Sequence, residues 1–131
     1  MSVDMSKNSE WDSLVSGKQL VAADFWAPWC SYCRTFKPVF ESVAPEHLDI
    51  KFVKVNVDQM PHIASKYGIQ GIPVVKFFCE GKEVGEVVGY IPKDNLKKEI
   101  DRIGTSAPSC LANLSSVQPS ARSTMNGRKV E

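Results

Sequence analysis

No apolar run in the sequence approaches the roughly 20 residues a helix needs to cross a bilayer, and none follows a basic start at the N-terminus. Met1 to Glu10 therefore does not read as a secretory leader, and the expected location is the cytoplasm. An excess of one charge is missing too. The 16 basic and 15 acidic residues leave a formal net charge of +1, too little field to gather nucleic acid or an anionic membrane, and neither is expected as a partner. Histidine is scarce, at 2 residues, and the 4 cysteines contain a single close pair. A zinc site needs about four ligands, and Cys79, Cys110, His47 and His62 bring no second close pair, so no metal is expected. Aromatic residues are absent from 105–131, a stretch rich in Ser, Ala, Asn and Pro whose one acid is Glu131. That composition predicts a disordered or loosely held tail. The rival reading is a short docking segment, with Leu111, Leu114 and Val117 along one helical face. No internal repeat is visible.

Residues 1–104 carry the pattern of one globular domain. Glu10 to Gly17 can form a short helix, with Ser9 as N-cap and Gly17 as stop. Leu20 to Phe25 is an apolar run broken by Asp24 and reads as a buried strand. From Cys30 to Val43 the spacing turns helical: Phe36, Val39, Phe40 and Val43 form one apolar stripe, and Pro38 within this stretch is expected to kink the helix. Ile50 to Val57 alternates as a second strand. Pro61 opens a short helix that Gly68 closes. Val74 to Cys79 and Glu83 to Gly89 read as strands joined by a turn at Glu80-Gly81-Lys82. Pro92 to Ile103 closes the domain as a helix presenting Leu96, Ile100 and Ile103, with Gly104 at its end. A parallel strand–helix–strand unit followed by an antiparallel hairpin gives a mixed sheet with helices on both faces, an α/β sandwich of three layers.

Trp29-Cys30-Ser31-Tyr32-Cys33 lies between a strand and a helix, where a two-residue cysteine spacing becomes informative. At the helix start, free backbone N–H groups and the helix dipole favour an anion. The thiolate is the nucleophile of disulfide exchange, and Cys33, one turn further in, is within reach to close a disulfide. Zinc and two ordinary buried cysteines are the alternatives at this point. Asp24 interrupts an apolar strand, where a buried carboxylate is costly without a partner or a task; the plainer reading is a strand-end residue pointing at water. Lys54, alternating with Phe52, reads by itself as a solvated strand residue. Trp26 is assigned to the core and Trp29 to the surface.

At these residues the chain resembles the thioredoxin family. The resemblance covers about residues 3–104 and rests on Ala23-Asp24-Phe25-Trp26-Ala27-Pro28-Trp29-Cys30, Lys54-Val-Asn-Val-Asp58, Tyr67-Gly-Ile-Gln-Gly-Ile-Pro73, Gly81 and Gly89. It implies the thioredoxin fold, with a very short first strand near Val3 to Met5. It implies a protein disulfide reductase in which Cys30 attacks a client disulfide and Cys33 resolves the mixed disulfide. Asp24 matches the buried aspartate that exchanges a proton with Cys33, and Lys54 its charge partner. Pro73 matches a cis-proline facing the disulfide, and Trp29, Ile72 and Gly89 match the groove for client backbone. Pro38 matches the family's helix proline. The implied partners are disulfide-containing proteins and a thioredoxin reductase. No bound cofactor is implied beyond the Cys30–Cys33 couple itself, and a monomer is expected.

The chain departs from the family at Ser31-Tyr32, where reducing thioredoxins carry Gly-Pro. The dipeptide bears on thiolate stability and hence on reduction potential, so an oxidase or isomerase of the same fold is the second reading. A non-catalytic binding module is the third, and the intact Cys pair with Asp24 and Pro73 speaks against it. Cys79 is expected to be a small, partly exposed strand residue; its pairing with Cys110 stays open, without support from the spacing.

Overall fold

The structure, a computed structural model, describes residues 3–5, 10–107 and 110. The elements run β1 (Val3–Met5), α1 (Trp11–Val15), β2 (Val21–Trp26), α2 (Ser31–Val43), a 3-10 turn (Ala44–Glu46), β3 (Lys51–Asn56), α3 (Pro61–Lys66), β4 (Val74–Cys79), β5 (Lys82–Val88) and α4 (Lys93–Thr105). The sheet order is β1-β3-β2-β4-β5. β1, β3 and β2 are parallel, β4 runs antiparallel to β2, and β5 antiparallel to β4.

Strand alternation assigns the two faces. Ala22, Phe52, Val75 and Phe77 point to one side, where they pack with Phe36, Phe40 and Val43 of α2 and Leu96, Ile100 and Ile103 of α4. Val21, Ala23, Phe25, Val53, Val55, Val74 and Phe78 point to the other, against Trp11 and Val15 of α1 and Ile63 of α3. The expected α/β/α sandwich is present. Burial of Phe36, Phe40 and Val43 alone contributes roughly 5–8 kcal/mol by removing their apolar surface from water.

Two glycines are required by geometry. Glu80 and Gly81 both have positive φ, 54° and 83°, so the hairpin turn is two residues long rather than three, and β5 begins at Lys82. At Gly85 a Cβ would lie 2.7 Å from Ile103 Cγ1, so the absent side chain lets α4 settle on β5. Opposite, the β4–β5 register shifts between Phe77 and Phe78, a β-bulge.

Several boundaries differ from expectation. Glu10 occupies the N-cap of α1 without a side-chain bond, and Ser16, not Gly17, caps its end; Ser9 lies outside the described residues. α2 ends at Val43 as expected, with Pro38 inside it on the exposed side. Gly104 does not end the last helix: α4 reaches Thr105, with Ser106 at its cap. Ala107 and Cys110 are buried in the α2–α4 core. Cys79 is likewise buried, and it is bonded to Cys110. Cys79 is therefore buried rather than partly exposed, and the pairing with Cys110 that the spacing left open is formed. A strand end and a chain segment 31 residues later meet only because α4 folds back over β4 and β5, a proximity that spacing does not encode. The predicted tail beyond Cys110 lies outside the described residues.

Candidate active site

Cys30 is the N-cap of α2, with extended backbone, and its sulfur accepts the Cys33 N–H at 3.1 Å. The helix begins here because Pro28 and Trp29 end the strand-to-helix loop and the apolar stripe starts at Cys33 and Phe36. Arg34 closes the loop by donating from Nη1 to the Pro28 carbonyl at 2.8 Å. Cys30 and Cys33 are joined as a disulfide and pack with Ala27, Trp26, Val57 and Ile72. A carbonyl across the site, that of Ile72, lies 3.7 Å from Cys30 Sγ. The Ile72–Pro73 peptide bond is cis, and the Pro73 carbonyl accepts the Gly89 N–H at 2.8 Å. Trp29, Ile72, Pro73 and Gly89 thus come from three separate loops to one rim.

Trp29 is 68% exposed and donates from Nε1 to Asp58 Oδ2 at 3.0 Å. Asp58 is fixed in turn, its N–H donating to Asn56 Oδ1 at 2.9 Å. The sequence reading gave Asp58 no role; its signal was a carboxylate just past the end of a strand neighbouring β2. Ser31 and Tyr32 are both exposed, Tyr32 at 69%, and the Ser31 carbonyl accepts the Thr35 hydroxyl at 3.2 Å one turn further along α2. Tyr90 stands edge-on to Phe36, with ring centroids 6.1 Å apart, and is a further half-exposed aromatic near the rim that the sequence reading passed over.

Behind the disulfide lies a cavity of about 350 Å³ lined by Asp24, Trp26, Pro28, Cys33, Arg34, Lys37 and Lys54. Asp24 is buried, and its Oδ1 has no hydrogen-bond partner among the described residues. Desolvation pushes its pKa up to about 7; Lys54 pulls it down and Glu41 pushes it up. Lys54 is buried rather than solvated. Its ion pairs go to Glu41 at 3.4 Å and Asp4 at 3.9 Å rather than to Asp24, and its Nζ lies 4.9 Å from the Trp26 ring centre. The charge partner implied for Asp24 is therefore a neighbour in the field, held off by two other acids. Trp26 is half-buried rather than core, with its Nε1 also unpartnered. Among the described residues no cluster of His, Cys, Asp and Glu could hold a metal ion.

A family model described as Thioredoxin matches residues 2–102. The chain belongs to the thioredoxin family. It is 44% identical over 94 residues to a thioredoxin of Mycoplasmoides gallisepticum (strain R(low / passage 15 / clone 2)), covering 72% of this chain and 94% of that one. It is 41% identical over 102 residues to the chloroplastic M-type thioredoxin of Pisum sativum, covering 76% of this chain. The match spans only 59% of that relative's length. The crystal structure of a Malassezia sympodialis thioredoxin superposes with a TM-score of 0.73 at 32% identity, covering 77% of this chain and 91% of that one. The thioredoxin domain here carries the redox pair as a disulfide at a helix start. No helix among its described residues is long and apolar enough to cross a membrane.

Proposed function

We propose that this thioredoxin reduces protein disulfides through a reversible Cys30–Cys33 couple. The observation that carries this reading is the Cys33 N–H pointing at Cys30 Sγ from the first turn of α2. That donor and the helix start stabilise a Cys30 thiolate. The thiolate attacks one sulfur of the client disulfide, forming the Cys30–client bond as the client's own S–S bond breaks. The second client sulfur leaves as thiolate and takes up a proton. Cys33 then attacks Cys30, closing the protein disulfide and expelling the first client sulfur. Cys33 must lose its proton for that step. Asp24 lines the same cavity and, titrating near 7, is suited to accept it through that space.

Trp29, Ile72, Pro73 and Gly89 form the rim against which client backbone lies, and Asp58 positions Trp29. Lys54 acts on Asp24 through the field it shares with Glu41. Ser31 and Tyr32 tune the couple, and Pro38 belongs to the helix that carries it. The electron donor is a thioredoxin reductase, the chain works as a monomer, and its compartment is the cytoplasm. The catalytic domain extends through Cys110, because Ala107 and Cys110 belong to its core. Exposed Tyr32 in place of the family's proline favours disulfide isomerisation as a second reading, since it adds apolar surface beside the nucleophile.

Trapping tests the order of attack. Cys33→Ser should accumulate clients disulfide-linked to Cys30, whereas Cys30→Ser should trap almost none. Equal trapping by both variants would overturn the assignment.

A further inference from the structure

We propose that Cys79 and Cys110 form a second redox site, a latch that couples the stability of the domain to the surrounding thiol potential and leaves catalysis untouched. β4 runs antiparallel to β2, so Val74 lies beside Phe25 and Phe78 beside Val21. Phe25 is at the end of β2 that leads to Cys30. The four steps from Phe25 back to Val21 span about 13 Å of strand, and Cys79 lies beyond them at the opposite pole. The two pairs cannot exchange disulfides within one molecule.

The surroundings of the two pairs differ in kind. Cys30 begins a helix and receives an N–H bond on its sulfur. Cys79 ends a strand, and Cys110 lies in the turn after α4, its N–H bonded to the Ala107 carbonyl at 3.2 Å. Both sit in the apolar cluster with Leu20, Ile50 and Ala107. An apolar cluster favours a thiolate less than a helix N-cap does, so the reduced form gains less than at the active site and the bond requires more strongly reducing conditions to open. Burial of Cys79 to 5% and Cys110 to 8% exposure limits attack by large thiols.

Opening the latch takes two electrons and two protons from a dithiol reductant. One reductant thiolate attacks a sulfur of the pair, the Cys79–Cys110 bond breaks, and the reductant's second thiol closes its own disulfide and releases the remaining cysteine. The product is two buried thiols and an oxidised reductant. The bond joins positions 31 residues apart in sequence. Losing that constraint enlarges the unfolded ensemble and leaves Ala107 and Cys110 held by packing and by their backbone bonds to Gly104 and Ala107.

The full chain, equilibrated at graded ratios of reduced to oxidised dithiothreitol and quenched with an alkylating agent, should show two steps by peptide mass spectrometry. Cys30 and Cys33 should become alkylated first. Cys79 and Cys110 should follow together at a ratio at least about 10-fold more reducing, and the Tm should fall by about 10 °C in that second step. Cys79→Ala/Cys110→Ala should lack the second step, melt like the fully reduced wild type, and reduce insulin within two-fold of the wild-type rate. The titration and melting read the latch alone, whether or not the catalytic reading holds, and they decide the matter if the double variant does not fold. Alkylation of all four cysteines in one step, alkylation of Cys79 and Cys110 without reductant, an unchanged Tm, or a folded double variant that loses insulin reduction would each overturn the proposal.

Discussion

Asp24 and Lys54 are register partners on the adjacent parallel strands β2 and β3, yet the Lys54 ammonium pairs with Glu41 and Asp4. The aspartate is left with desolvation as the main influence on it, and its pKa rises from 3.8 to about 7. A group that binds its proton more tightly folded than unfolded costs stability once the unfolded chain ionises. Below about pH 4 both states are protonated and nothing is lost. Between about pH 4 and 7 stability falls as pH rises, and above about 7 the loss is complete, on the order of 4 kcal/mol. Asp24→Asn should therefore be more stable than wild type at pH 8, with the difference shrinking toward pH 4.5. Urea denaturation midpoints across that range check this; parallel curves for the two proteins would count against it. The same variant should reduce insulin more slowly near neutral pH, by about 10-fold or more if Asp24 relays the proton.

The Trp29–Asp58 bond spans the rim beside the nucleophile. Asp58→Ala removes the acceptor and frees an exposed indole. A positioning role predicts a KM for a protein disulfide raised by about 3-fold, with kcat little changed and the Tm within about 2 °C of wild type. A fall in kcat alone, at constant KM, would assign Asp58 a different task.

Gly85 answers to packing rather than chemistry. Its missing Cβ would lie 2.7 and 2.8 Å from Ile103 Cγ1 and Cδ1. Gly85→Ala should destabilise the fold by about 1–3 kcal/mol by pushing α4 off β5, readable in denaturant titrations. Gly85→Ala/Ile103→Ala should show a smaller loss than the two single losses added together. Full additivity would place the strain elsewhere.

Ser31 and Tyr32 occupy the first turn of α2 on its exposed side. Replacing them with Gly-Pro should lower the reduction potential by roughly 30 mV, about 1.4 kcal/mol for two electrons, measured by equilibration with glutathione. An unchanged or higher potential would make the dipeptide a determinant of client fit instead.

What the sequence disclosed about this protein follows the range of each interaction. The α2 stripe at Phe36, Phe40 and Val43 and the α4 stripe at Leu96, Ile100 and Ile103 are local periodicities, and both pack as read. The position of Cys30 at a helix start is equally local, and it is where the structure places it. The burial of Lys54 was hidden because alternation says which face a side chain takes, while its cover comes from Glu41 and Asp4 on other elements. Asp58 reaching Trp29 and Cys110 reaching Cys79 depend on loops and on a returning helix, for which no periodicity exists. The cis peptide before Pro73 came from family likeness, since proline at a strand start is permitted in either isomer.

The two margins of the sheet bear on how other chains can approach. One ends in the three-residue β1. The other ends in β5, which carries Lys82, Glu83 and Glu86 and is offset by the bulge opposite Phe77 and Phe78. Short, charged and bent margins are poor templates for an added strand. An extended polypeptide gains little by lengthening this sheet, whereas at the loop pole the Ile72 carbonyl stands beside the Cys30 sulfur. For the disulfide reductase proposed here, that outline predicts contact with a few residues around a reacting cysteine rather than with the fold they belong to.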